Sequence, residues 1–348
     1  MTNNPFTLMF GLPSNSLISR DDSLNEIITN FNNDVAMYAY IITGIRGCGK
    51  TVLLREACKK LSMDNNWIIV DINSQSSILE SLTSKLYDAS KVRKMLNGWS
   101  LSINLPYFTL KKEHQEITDS ETILEHIIDG INKEKKKILI SIDEVTNTSE
   151  FRKFVNFYQS MIGKGYKLYL LMTGLNENIN SIINDKAMTF LSRLPKIELE
   201  PLDLVDISFE YKSIFDIDNN EAIKMAKLTR GYAFAYQVLG YFFFELKNKG
   251  IDEKLLNRYQ RYLWTNGYTK FWNDSTPVEK KFMIGLAKAE NGSKEEIIKN
   301  TKISVSNYSQ YRKRLIDKRL VVVNGWDKLE FSLPQFKEFV LYMNEFGL

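Results

Sequence analysis

The chain of 348 residues is 44% hydrophobic and carries 46 Lys/Arg against 42 Asp/Glu, a net of +4, and reads as a soluble globular protein of two or three domains. Its longest apolar stretch, Tyr232 to Leu246, is broken by Gln237 and Gly240 and falls short of the roughly 20 residues that span a bilayer. It reads as a buried helix, so no membrane association is expected; the start, MTNNPFTLMFGLPS, lacks a basic segment followed by an apolar one, so no secretory signal is expected and the expected compartment is cytoplasmic. Two cysteines, Cys48 and Cys58, make no disulfide framework, and two histidines, His114 and His126, argue against a Cys/His zinc site or a His-based triad.

In chain order, Ala36 to Thr43 (AMYAYIIT) is a continuous apolar run of strand length. Gly44-Ile45-Arg46-Gly47-Cys48-Gly49-Lys50-Thr51 follows and fits G-x-x-x-x-G-K-[ST], a phosphate-cradling loop. Glycines let successive N–H groups point inward, and the next helix presents its positive end to a phosphate. Lys50 is then placed for the β/γ-phosphates and Thr51 for Mg²⁺, while Gly44, Gly47, Cys48, Gly49 and Val52 complete the expected ATP-binding set. Val52, Leu53, Ala57, Cys58 and Leu61 recur at helical spacing behind the loop. Cys48 is either a redox-sensitive thiol or a variable loop position.

Trp67 to Ile72 reads as a second buried strand, followed by a helical segment near Ser77 to Leu86. Trp99 to Leu110, with partial alternation and a central Pro106, suggests an inserted hairpin or edge element. A helix is expected from about Ser120, and the basic run Lys133 to Lys137 reads as a solvated turn. Ile138 to Asp143, followed by Glu144, is an apolar strand that brings carboxylates to the ligand-collecting edge of an open sheet. Asp143 fits the Mg²⁺-associated acid and Glu144 the base that orients or deprotonates the attacking water. Leu168 to Met172 is a further strand, ending in Thr173, which either touches the γ-phosphate or its water or serves as a cap or turn residue. A helix near Ile182 to Leu191, then Arg193, lead to the short strand Ile197 to Leu199. This alternation predicts an α/β fold with a mostly parallel sheet.

From Asp203 to Trp272 only helices are expected, with Asp218 as a cap and Gly231 as a C′ glycine. Thr276-Pro277-x-Glu279 is a capping box, and Ser293 to Glu296 repeats the device. A helix from Ser304 to Lys318 with Tyr308, Tyr311 and Leu315 inward is followed by a hairpin, Leu320 to Val323 and Leu329 to Ser332, turning at Asn324-Gly325. Three helices and a hairpin resemble a winged helix-turn-helix. The division expected is 1–202, a phosphate-loop ATPase core; 203–273, a helical lid; and 274–348, the winged helix. From Pro277 onward there are 13 Lys/Arg and 9 Asp/Glu, so the whole positive excess lies there. Ser306, Asn307, Gln310, Lys313 and Arg314 fall on the outer helix face, and with Lys328 they form a candidate duplex-DNA surface.

The phosphate loop, the Asp143-Glu144 strand end, Thr173, Arg193 and the appended helical domain together resemble the AAA+ ATPases. The likeness is nearest the archaeal-type and origin-recognition-like branch, with STAND-type ATPases as neighbours. That resemblance implies a sheet order of 5-1-4-3-2, ATP and Mg²⁺ as cofactors, and adenine held among core, N-terminal segment and lid. It also implies hydrolysis at Lys50, Thr51, Asp143 and Glu144, and a possible homo-oligomer in which Arg193 is a finger for a neighbour's γ-phosphate. Arg193 is otherwise a surface ion-pair residue. Leu17-Ile18-Ser19-Arg20-Asp21 resembles the family's N-terminal motif with Ser19 in place of glycine, and Phe234 stands where a lid arginine is usual. Two functions remain open: a DNA-associated switch or motor, and a signalling or defence switch whose winged helix contacts protein.

Overall fold

The computed structural model describes residues 3–9, 16, 18–33, 38–74, 77–89, 100–104, 107–112, 115–247, 250–325 and 327–347. Leu17, Ala36, Met37, Trp99 and Pro106, which enter the sequence expectations, lie outside them. The chain divides into two units, one of Arg20–Thr43 with Lys50–Glu198, the other of Met1–Ser19, Gly44–Gly49 and Leu199–Leu348.

The first unit is built on a parallel sheet of β1 (Ala39–Thr43), β2 (Trp67–Asn73), β6 (Lys137–Asp143), β7 (Leu168–Gly174) and β8 (Lys196–Glu198), in the order β2-β6-β7-β1-β8. Numbered within the sheet, this is the expected 5-1-4-3-2 read from its other edge. β1 and β7 are buried along their whole length, as continuous apolar runs with helices on both faces must be. The helices Ile78–Asp88, Ser120–Lys133 and Ser149–Gly163 bury their apolar stripes in one core with the strands, and Lys50–Ser62 buries Leu53, Leu54, Ala57 and Leu61. The expected insertion is a three-stranded antiparallel sheet, β3 (Ser100–Asn104), β4 (Tyr107–Lys112) and β5 (Gln115–Ile117).

The helix expected from about Ser120 is Ser120–Lys133, capped by Asp119, whose carboxylate accepts from Thr122 N at 2.8 Å. Several local expectations are corrected. Lys137 is no solvated turn residue. It opens β6, donates to the carbonyls of Phe31 and Asn32 at 3.1 Å, and sits 5.2 Å from the Trp67 ring centre. The single helix read near Ile182 to Leu191 is two elements, Asn176–Ile183 and a 3₁₀ helix Lys186–Arg193, because Asp185 caps the second by accepting from Ala187 N.

The second unit holds the helices Leu204–Phe215, Asn219–Thr229, Ala233–Glu245, Glu253–Tyr262, a π turn Leu263–Tyr268 and Thr269–Asn273. Arg230 itself adopts the left-handed cap conformation (φ 49°), with Gly231 following at φ 74°. Phe6 packs against Gly240, where a Cβ would lie 2.4 Å from the ring, so glycine admits the N-terminal segment. Pro277–Ala287 starts with the expected capping box. Ser293 caps Lys294–Thr301, but Glu296 accepts from Asn291 N rather than closing a box. Val305–Asp317 and the hairpin β9 (Val321–Asn324) and β10 (Lys328–Phe331) complete the winged helix-turn-helix. A closing helix, Phe336–Glu345, is not among the expectations, although Phe336, Phe339, Val340 and Met343 stand at helical spacing and are buried. One hydrophobic core runs from Leu202 and Tyr211 through Tyr268 and Trp272 to Phe339, so segments 203–273 and 274–348 are packed together.

Candidate functional site

The register of the sheet assembles the acidic end of the site. Ile142 of β6 lies opposite Met172 of β7, which brings Asp143 beside Thr173. Thr173 is wholly buried. Its hydroxyl donates to Asp143 Oδ1 and accepts from the backbone N–H of Glu144 at 3.0 Å. On the other side of the same carboxylate, Thr51 in the first turn of its helix donates its hydroxyl to Asp143 Oδ2 at 2.8 Å. Lys50 is only 7% exposed. Glu144 takes a left-handed conformation, φ 54°, and its side chain is exposed. A non-glycine residue held there costs of order 1 kcal/mol and requires a surrounding restraint, which the Thr173 hydrogen bond to its N–H supplies.

The hydroxyl of Thr51 and the carboxylate of Asp143 are hard oxygen donors of the kind Mg²⁺ accepts, one or two from protein and the rest from phosphates and water. Among the described residues no group of three His, Cys, Asp or Glu is placed to hold a metal by itself. This donor set fits a nucleotide-borne Mg²⁺. Thr43, at the end of β1, donates to Asn176 Oδ1, and Asn176 donates to Glu198 Oε1 at 3.2 Å, linking the ends of β1 and β8. The sequence analysis missed Asn176, whose only signal was its place two residues past Gly174 at the end of β7.

The loop Gly44–Gly49 is fixed from within the second unit. Gly44 has φ 150°, and a Cβ there would lie 2.7 Å from Cys48 Sγ. Gly47 has φ 77°, and a Cβ would lie 2.6 Å from the Tyr232 hydroxyl, so no side chain is tolerated at either position. Tyr232 donates to the carbonyl of Arg46 at 2.9 Å, and the N–H of Phe234 to the carbonyl of Gly47 at 3.1 Å. Burial holds the Tyr232 phenol far above its usual pKa, with the neighbouring Cys48 adding to the effect, so it is a donor at any working pH. Cys48 is buried at 6% exposure, and burial pushes the Cys58 thiol up to about 11; Cys58 is thus an inert thiol. Val52 is half-buried in the helix that follows the loop.

Arg193 is exposed in the last turn of the 3₁₀ helix, and among the described residues no carboxylate lies within ion-pair distance of it. On the winged helix, Ser306, Asn307, Gln310, Lys313, Arg314 and Lys328 are all exposed. The surrounding charge is smaller than composition implies. Arg312 pairs with Asp327 at 2.7 Å, Lys318 with Glu279 at 3.1 Å and Arg319 with Glu200 at 3.6 Å. The Arg314 guanidinium lies 5.3 Å from the Tyr311 ring centre.

A parallel sheet in this strand order, with the glycine loop after β1 and the Thr51–Asp143 pair and Glu144 at its strand ends, together with a helical region and winged helix, is a P-loop fold of the AAA+ type. Residues 17–171, a little under half of the chain, match the family described as an ATPase domain predominantly from Archaea. A domain of unknown function matches residues 266–340. The Walker-type ATPase paby2304 of Pyrococcus abyssi has the same fold, with 15% identity, TM-score 0.66, and coverage of 93% of this chain and 96% of that one. The ORC2 protein of Aeropyrum pernix gives 12% identity and TM-score 0.67 over 98% and 97%. Cdc6p of Pyrobaculum aerophilum gives 12% and 0.53 over 98% of each chain. No curated protein sequence matches the chain. No helix among the described residues is long and apolar enough to cross a membrane.

Proposed function

We propose that the chain binds Mg·ATP and hydrolyses it, acting as a nucleotide-driven switch or motor on duplex DNA. The observation that carries hydrolysis is the Asp143 carboxylate held by Thr51 and Thr173, with Glu144 next to it in a restrained left-handed conformation. Gly44 to Gly49 cradle the phosphates through backbone N–H groups, Lys50 meets the β/γ-phosphates, and Thr51 and Asp143 hold the Mg²⁺. Glu144 orients the attacking water and takes its proton as the water oxygen bonds to the γ-phosphorus and the bond from that phosphorus to the bridging β–γ oxygen breaks, ADP keeping the oxygen and leaving beside inorganic phosphate. Thr173 holds Asp143 and Glu144 in place. Arg193, exposed and without an ion-pair partner among the described residues, acts on the γ-phosphate of a neighbouring subunit. The solved Aeropyrum pernix ORC2 protein carries ADPNP and ADP, which supports the nucleotide assignment.

By this reading residues 1–202 are the ATPase core, 203–273 the lid and 274–348 the DNA-contacting part. A second reading, a signalling or defence switch with a protein client, draws support from three of the winged helix's cations being paired internally. Glu144→Gln tests the hydrolytic assignment: Mg·ATP should bind as in the wild type while turnover falls by about 10² or more. Normal turnover would reject Glu144 as base. Mixing Arg193→Ala with Glu144→Gln subunits should restore part of the activity, and no recovery in a verified mixed oligomer would reject the finger.

A further inference from the structure

The phosphate loop is held from its carbonyl side by the start of the helix Ala233–Glu245, through two adjacent peptide groups. The carbonyl of Arg46 accepts from the Tyr232 hydroxyl at 2.9 Å, and the carbonyl of Gly47 from the N–H of Phe234 at 3.1 Å. A trans peptide points its C=O and N–H in opposite directions. The N–H of Gly47 shares a plane with the carbonyl of Arg46, and the N–H of Cys48 with the carbonyl of Gly47. Anchoring the Arg46 oxygen therefore aims the Gly47 N–H the opposite way, where an anion nest needs it, while the Cys48 N–H turns back to the carbonyl of Ile45 at 3.4 Å. The phenol has one hydrogen to give, is buried at 6% exposure, and is kept protonated by that burial. Gly47 is required by the same contact, since any Cβ would meet the hydroxyl at 2.6 Å. The position that often supplies a lid arginine is here Phe234, whose backbone rather than side chain makes the second bond.

We propose that Tyr232 is a positioning residue for phosphate binding, which presets the N–H of Gly47 for the polyphosphate and so couples the lid helix to the nucleotide's phosphates. It touches no ligand, and its effect is transmitted through the Arg46–Gly47 peptide. This rests on the assignment of the loop as an ATP site, and two consequences separate it from a role in folding or in adenine recognition. The effect should be shared by ATP and ADP, because the cradle serves the β-phosphate of both. It should be absent for adenosine, which has no phosphate to meet the nest.

The test is Tyr232→Phe, which deletes one oxygen and keeps the ring, measured by calorimetry with ATP, ADP and adenosine on the full chain. ATP and ADP should each bind about 5- to 10-fold more weakly, the worth of one neutral hydrogen bond, with adenosine unchanged and kcat at saturating ATP within about twofold. If wild-type protein binds no nucleotide, the ATP-site assignment fails. If wild type binds and Tyr232→Phe binds both nucleotides equally well, the positioning role fails. Loss of adenosine binding in parallel would overturn it in favour of an adenine contact. Should Tyr232→Phe fold poorly, the titrations are repeated at a lower temperature where its near-UV circular dichroism matches the wild type, and ATP and ADP must weaken alike while adenosine is spared, or the proposal is wrong.

Discussion

The Thr51 hydroxyl and Asp143 Oδ2 stand 2.8 Å apart, although 92 residues separate them, joining the first helical turn after the phosphate loop to the end of β6. The bond holds two hard oxygen ligands at the separation a shared Mg²⁺ uses, with the proton of Thr51 occupying the place of the cation. Thr51→Ala is expected to lower affinity for Mg·ATP by about tenfold while leaving ATP affinity in EDTA unchanged. Calorimetry with and without Mg²⁺ decides it. Equal losses in both conditions would mean that Thr51 supports the loop rather than the metal.

Thr173 satisfies a carboxylate and a left-handed N–H with a single hydroxyl. Thr173→Val keeps the shape but leaves the half-buried Asp143 carboxylate and the Glu144 N–H each short of a hydrogen bond, costing about 1–3 kcal/mol. Turnover should fall by about 5- to 100-fold on the same scale, with nucleotide affinity much less affected, and Thr173→Ser should recover most of it. Single-turnover hydrolysis is the measurement; unaltered rates in the valine variant would remove Thr173 from the catalytic arrangement.

The sheet was legible because each of its longer strands is an apolar run with a distinctive polar end: Asp143-Glu144 on β6, Thr173 on β7, the glycine loop after β1. What remained hidden depends on partners far away in the chain. Tyr232 reads as one aromatic in an apolar helix, and only the fold sets its hydroxyl on Arg46, 186 residues upstream. The winged-helix charge was overread for the same reason. Six cations between Lys302 and Arg319 face one acid locally, yet Glu200 and Glu279 come from distant segments to pair with Arg319 and Lys318.

Glu279 gives the C-terminal core a pH dependence. Burial alone would raise its carboxyl pKa, but the N–H of Thr276 and the ammonium of Lys318 outweigh it and hold the group below the usual carboxylate range. A depressed native pKa contributes stability that is fully present above the unfolded value, roughly 4.3 for Glu, and lost as pH falls through the native one. Glu279→Gln should cost about 1–2 kcal/mol at pH 7, and the two proteins should converge in urea midpoint below about pH 3. A constant difference across that range would show that the charge is not what stabilises this cap.

Lys313 and Arg314 are exposed on the outer face of Val305–Asp317, beyond Ser306, Asn307 and Gln310, and Lys328 is exposed on β10. With Arg312, Lys318 and Arg319 committed to carboxylates, these cations and the exposed Lys302 are left to meet a duplex backbone, and short polar groups at the helix start suit base edges. Counterion release makes such binding salt-dependent, with a log–log slope of about 0.9 per phosphate neutralised. Lys313→Gln with Arg314→Gln should weaken binding to every duplex sequence and flatten that slope by roughly 2, whereas Arg312→Gln should change it little. The full chain is the proper sample, because the winged helix shares its core with the helices before it. Anisotropy titrations of a labelled duplex from low to moderate salt read the slope directly. Full-length protein with no salt-dependent affinity, or a double variant with the wild-type slope, would turn the assignment toward a protein client on this face.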